Sequence, residues 1–154
     1  MHGPNLNLLG TREPAHYGTR TLAEINLALA HRAEAAGVYL EAFQSNHEGA
    51  LIERVHAART QGVRYLIINP AAYSFTSIAM FDAMKIFEGP IYEVHISNIH
   101  ARDELHRHSK LSAAAKAVIA GLGPYGYIVA MQAALQAAGK LPAALPAVVR
   151  TGPK

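Results

Sequence analysis

The chain has 154 residues, 14 Lys plus Arg against 11 Asp plus Glu, nine histidines and no cysteine. That length suits a single domain with a real core, and the lack of thiols excludes disulfide scaffolds, thiolate metal sites and cysteine nucleophiles. Hydrophobic residues make up 51%, yet there is no long apolar run and no charged start leading into an apolar stretch. Neither a membrane-spanning helix nor a signal peptide is readable, and the cytoplasm is the expected compartment. All the acids lie at or before Glu104. The bases after it (Arg107, Lys110, Lys116, Lys140, Arg150, Lys154) are scattered. They lack the clustered stripe that phosphates need, so no nucleic-acid partner is expected.

In chain order, Met1 and His2 lead into the loop Gly3-Pro4-Asn5-Leu6-Asn7-Leu8-Leu9-Gly10, which reads as the sequence that follows a first strand. That strand is therefore expected to be missing, leaving the middle of a sheet with unpaired backbone. Arg12-Glu13-Pro14-Ala15-His16-Tyr17-Gly18 is a polar loop bounded by turn residues and able to fold over a site. Thr21-Leu22-Ala23-Glu24 fits a capping box opening a helix, with Leu22, Ile25 and Leu29 on one stripe and Gly37 as its stop. A strand is predicted over 38–44. Ser45-Asn46-His47-Glu48 reads as a second capping box, with Leu51, Ile52 and Val55 inward and an end near Gly62.

The run 64–69 is almost wholly apolar and stopped by Pro70, as a strand buried on both faces should be. A helix over 77–87, a strand over 91–96, a strand over 117–121 and a helix over 125–138 complete the pattern. From Leu141 the chain has two close prolines and no periodicity, so 141–154 is expected to be an extended or mobile tail beside one domain, 1–140. Strand and helix alternation with short links argues a parallel, doubly wound α/β sheet covered on both faces. Such sheets bind ligands outside the carboxyl ends of their strands. The places to look are the 3–20 loop and the residues after Gln44, Asn69 and Ile96.

Gly121-Leu122-Gly123-Pro124-Tyr125-Gly126 matches a dinucleotide fingerprint in form, but no acid follows it to hold a ribose. Its glycines are expected to serve tight strand-to-helix packing, with no cofactor. His95, His100, His106 and His108 crowd together, yet Arg102 and Arg107 interleave with them and no helical ligand spacing is present. No metal is expected. His31 and His56 read as solvated helix-surface residues. Glu93 and His95 alternate to one side of a strand, so the carboxylate can orient and charge the imidazole as an acid. Tyr17, whose phenol ordinarily has a pKa near ~10, becomes a base if Arg12 stabilises the phenolate. The amides of Ile96 and Ser97 stand at a strand end where they can cradle a small anion.

Several motifs resemble type II 3-dehydroquinate dehydratase. They are Gly3 to Gly10, Arg12-Glu-Pro-x-x-Tyr-Gly18, Gln44-Ser-Asn-His-Glu-Gly49, Ile68-Asn-Pro70, Glu93 to Arg102, and Gly121-Leu-Gly123, in order over nearly the whole chain. The resemblance implies a flavodoxin-like fold, no metal or cofactor, and trimers arranged into a dodecamer. It also implies removal of water from 3-dehydroquinate through an enolate to give 3-dehydroshikimate, in aromatic biosynthesis or quinate breakdown. By the same resemblance Tyr17 takes the proton next to the ketone while Arg12 holds Tyr17 ionised. Asn5 positions the water that steadies the enolate, and His95, oriented by Glu93, protonates the departing hydroxyl. Asn69, Ile96 and Ser97 hold the substrate carboxylate and a neighbouring hydroxyl, with Arg102 nearby, and Asp82 reaches a neighbouring subunit's site.

Departures cluster where that family contacts ring hydroxyls. Phe75 stands in the place of a histidine and His106 in the place of an arginine. Ala71 replaces a usual glycine, and Phe81 an arginine beside Asp82. Two substrate readings follow: 3-dehydroquinate, with His106 or Arg107 supplying the missing donor, or a different cyclic β-hydroxy ketone acid facing the apolar wall of Phe75. A non-catalytic assembly protein on the same fold is the third, against which the intact Tyr17, Arg12 and His95 argue.

Overall fold

The computed structural model describes residues 1–11 and 18–141, so the Arg12–Tyr17 loop and most of the expected tail lie outside the described residues. Helix α1 (Leu22–Ala35) starts as its capping box predicts: the Thr21 hydroxyl accepts the Glu24 amide, and the Glu24 carboxylate accepts the Thr21 amide at 2.8 Å. Ile25, Leu29 and Ala33 form its buried stripe. Residues 38–43 do not form the predicted strand. Their alternation suits one, since Val38 and Leu40 pack on the core while Tyr39 is 89% exposed. Among the described residues, however, the neighbouring backbone is Met1–Gly3, which reaches only to the end of the segment. His2 donates to the Phe43 carbonyl at 2.8 Å, and Ser45 donates to the His2 carbonyl at 3.1 Å.

Helix α2 (Glu48–Thr60) buries Leu51, Val55 and Ala58, but the second capping box does not form. The Ser45 hydroxyl instead accepts the His47 amide at 2.9 Å, making a turn that delays the helix. Strands β1 (Leu66–Ile68), β2 (Ile91–His95) and β3 (Ala117–Ala120) are parallel, with Ile68 opposite Glu93 and Glu93 opposite Val118. A short helix, α3 (Tyr73–Thr76), absent from the sequence reading, follows Pro70. Helix α4 (Ile78–Ile86) is capped by Ser77, whose hydroxyl accepts the Met80 amide at 2.7 Å, and α5 (Tyr125–Ala137) closes the fold.

No full strand precedes β1 in the described residues, yet the centre of the sheet is paired at its carboxyl end. His2 bridges in parallel to both Gln44 and Asn69, Gly3 donates to the Asn69 carbonyl and Asn69 to the Met1 carbonyl. The spatial order is therefore the Gln44 segment, Met1–Gly3, β1, β2, β3, the 2-1-3-4-5 order of flavodoxin-like folds. The two backbones at the switch point nearly touch. A Cβ on Gly3 would lie 2.4 Å from the Pro70 carbonyl oxygen, so no other residue fits there without displacement.

Two core clusters flank the sheet. Leu51 and Val55 of α2 meet Met80 and Met84 of α4, Ile91 and Leu111 on one side. Ile25, Leu29, Tyr92, Val94, Tyr127 and Met131 pack on the other. Glu93 and His95 share a face with Ile91 by strand alternation and occupy core positions with ionisable groups. The packing expected of the glycines in 121–126 holds for Gly126, where a Cβ would press to 3.3 Å of both Ile119 and Val94, and for Gly121, where it would lie 3.1 Å from the Asn98 side chain. It does not hold for Gly123, which faces open space at φ 58°. Among the described residues no helix is long and apolar enough to cross a membrane.

Candidate active site

The cleft sits at the switch point, where chain reversal leaves a crevice beyond the carboxyl ends of the strands. Three loops interlock to shape it. The Asn5 amide donates to the Asn46 side-chain oxygen at 2.9 Å, and the Tyr73 hydroxyl donates to the Asn46 carbonyl at 2.8 Å. Asn5 itself adopts φ 65°, a left-handed conformation that asparagine tolerates better than most residues.

A cleft of about 120 Å³ opens among these loops, lined by Asn5, Asn69, Phe75, His95, Ile96, Ser97, Arg102 and His106 along with apolar neighbours. Most of the residues singled out in the sequence thus converge. Glu93 lies behind the cleft, fully buried. Asp82 stands on the exposed surface of α4, away from this cleft. Arg12 and Tyr17 lie outside the described residues.

The Glu93 carboxylate is 2.7 Å from His95 Nε2. It also accepts the Ser109 hydroxyl at 2.5 Å and the Ser112 hydroxyl at 2.7 Å. Burial works to raise its pKa, but the bonds from His95, Ser109 and Ser112, together with the His95 charge, outweigh burial and hold it below the usual carboxylate value. A buried carboxylate bonded to a cleft-lining imidazole can hold that ring in one orientation.

Phe75 forms a wall between two imidazoles, 6.5 Å from the His95 ring in a near-parallel stack and 5.4 Å from the His106 ring edge-on. His106 Nδ1 stands 2.8 Å from the Asp103 carboxylate. His108 lies on the exposed side, 3.6 Å from Glu104. Asn69, only 3% exposed, accepts the Ala71 amide through its side-chain oxygen at 3.1 Å, which holds Ala71 at φ 52°.

Behind Asn69 runs a polar chain that the sequence reading missed. The buried Tyr127 hydroxyl lies 3.1 Å from His2 Nδ1, and His2 Nε2 lies 2.9 Å from the Asn26 side-chain oxygen. Burial above all pushes the His2 pKa down to about 3. Its ring is neutral, donating to Asn26 and accepting from Tyr127. Ser109 and Ser112 were missed as well. Their one sequence signal is a pair of small hydroxyl residues straddling the apolar Leu111 in an otherwise polar stretch.

With this geometry in view, a family model described as Dehydroquinase class II matches residues 1–135. The chain belongs to the class II dehydroquinase family. A protein of Ralstonia pickettii (strain 12J) named 3-dehydroquinate dehydratase is 55% identical over 90% of each chain. A Pseudomonas putida protein named 3-dehydroquinate dehydratase 1 is 54% identical over 88% of this chain and 90% of its own. Among solved structures, the type II dehydroquinase from Propionibacterium acnes superposes with a TM-score of 0.84 at 39% identity, covering 88% of this chain and 92% of that one. Within the dehydroquinase fold, then, the cleft, the buried carboxylate and the imidazole of this chain occupy the crevice where the topology reverses.

Proposed function

We propose that this chain is a 3-dehydroquinate dehydratase, converting 3-dehydroquinate to 3-dehydroshikimate through an enolate without metal or cofactor. Tyr17 removes the proton next to the ketone, with Arg12 holding the phenolate. Asn5 positions the water that steadies the enolate, and His95, oriented by Glu93, gives its proton to the departing hydroxyl, which leaves as water. Asn69 with the amides of Ile96 and Ser97 takes the substrate carboxylate, and Arg102 and His106 face the ring hydroxyls. The enolate is the costly species, and donors fixed before reaction at the place where its charge develops are the economical way to stabilise it.

The observation that carries this reading is the 2.7 Å Glu93–His95 pair opening onto a cleft at the switch point, and the names borne by the relatives agree with it. The chain acts in this proposal as a homo-oligomer of trimers assembled into a dodecamer, with Asp82 reaching a neighbouring copy's site. Purified protein is expected to turn 3-dehydroquinate into a conjugated enone visible by ultraviolet absorbance, and Tyr17→Phe to abolish the signal.

A second reading keeps the same chemistry on another cyclic β-hydroxy ketone acid. It is favoured by one feature: Phe75 presents an apolar ring face to the cleft beside His95. A substrate hydroxyl buried there without a partner costs about 1–3 kcal/mol. The double change Phe75→His with His106→Arg separates the readings. Under the second reading it raises turnover of 3-dehydroquinate, and unchanged turnover rejects it.

A further inference from the structure

The Glu93 carboxylate is saturated by donors from two directions. His95 approaches Oε1 from the cleft side, while Ser109 meets Oε1 and Ser112 meets Oε2 from the segment that precedes β3. Ser109 is not free to turn elsewhere. The Ser109 oxygen accepts the Leu111 amide at 3.2 Å, which directs its own proton to Glu93, and Leu111 is fully buried in the core at the start of the turn Leu111–Ala114. The Lys110 amide donates to the Ser74 carbonyl at 2.8 Å, tying the same segment to the helix that carries Phe75.

We propose that Ser109 and Ser112 are positioning residues for the acid step, acting through Glu93: their two hydroxyls fix the carboxylate in one orientation and in its ionised form, and the carboxylate in turn fixes the His95 ring toward the cleft. This rests on the dehydratase reading above. Without the serines, a buried carboxylate would keep one partner and its protonated form would gain ground, since burial alone penalises the anion. A protonated Glu93 can place its hydrogen on His95 and no longer demands one orientation of the ring.

The groups facing Glu93 are limited. Across the sheet its register partners are Ile68 on β1 and Val118 on β3, neither of which titrates. Among the described residues His95 is the one charge that acts on its pKa. Toward the cleft, the titratable and charged side chains near His95 among the described residues are Arg102 and His106, the latter held by Asp103. A change at the serines therefore reads out through Glu93 first.

The experiment compares wild type, Ser109→Ala/Ser112→Ala and Ser109→Thr/Ser112→Thr, which restores both hydroxyls. In the alanine variant kcat is expected to fall about tenfold with KM changed less than about twofold, the size typical for loss of an outer partner that orients a functional group. The low-pH limb of its activity profile should move to higher pH, and the threonine variant should regain much of both. A carbon-13 titration of the Glu93 carboxyl, assigned with Glu93→Gln, reads the same hold without turnover and should move upward in the alanine variant. An unmoved carboxyl midpoint, or a kcat loss with an unmoved pH limb, overturns the proposal. Failure of wild type to turn over 3-dehydroquinate, with the carboxyl midpoint still raised in the alanine variant, rejects the dehydratase reading and leaves the serines' hold on Glu93 standing.

Discussion

Glu93 and His95 stand two residues apart on one strand with carboxylate and imidazole 2.7 Å from each other, the first fully buried and the second lining the cleft. Strand alternation sends both to the same face, where apolar side chains would otherwise pack. A buried acid there destabilises the fold unless it is fully hydrogen-bonded, and His95, Ser109 and Ser112 supply those bonds.

Replacing the carboxylate by an amide tests that relationship. Glu93→Gln keeps the shape but puts an NH2 group where donors already converge, leaving one of them without an acceptor. Stability should fall by about 1–3 kcal/mol in urea unfolding, and turnover by about tenfold or more with KM little changed.

Acid should unfold the protein through His2. Its folded pKa is pushed down to about 3, whereas in the unfolded chain it titrates near ~6.5. Below ~6.5 the unfolded state takes up a proton that the folded state refuses, so stability is lost progressively as pH falls toward 3, by up to about 1.4 kcal/mol per unit. Glu93, with its folded pKa lowered, adds a loss in the same direction as pH falls below the unfolded carboxylate value of ~4.3. Urea unfolding between pH 7 and 4 should show this slope in wild type, and His2→Asn should make it shallower.

Ala71 carries strain that glycine would relieve. A left-handed alanine costs about 1–2 kcal/mol, while glycine gives back about 0.4–1 kcal/mol through the freer unfolded chain. Ala71→Gly is expected to raise stability by about 0.5–1 kcal/mol, visible as a Tm increase, at a residue held at φ 52°. A lower Tm would mean that the Ala71 methyl group packs more favourably than its backbone is strained.

Gly3→Ala should do the opposite. The new methyl would meet the Pro70 carbonyl at 2.4 Å, forcing apart the two backbones at the switch point. A loss of about 1–3 kcal/mol is expected, with a rise in KM because Asn69 precedes Pro70 and would move with it.

Much of this was legible in the residues themselves. The Thr21–Glu24 box, the helix placed at 77–87, the apolar run ending at Asn69 and the Glu93–His95 alternation are local patterns, and local hydrogen bonding or periodicity enforces each of them. What stayed hidden depends on distant partners. Residues 38–43 alternate like a strand, but a ladder needs a neighbour along its whole length, and Met1–Gly3 pairs only with its end. Ser45 looked like a cap and became a turn, because its own amide is drawn to His2 across the sheet. Ser109 and Ser112 reach Glu93 from 16 and 19 residues away, and His2 meets Tyr127 over a separation of 125. The one-dimensional pattern offers only two hydroxyls straddling Leu111, which does not say what they bond.

The most direct test of the account is the rate at which purified protein converts 3-dehydroquinate to a conjugated enone, measured for wild type and for His95→Ala at saturating substrate. The account predicts turnover by wild type and a fall of about 10²–10⁴ in kcat for the variant. Equal rates for the two proteins, or no enone from folded wild type, would contradict it.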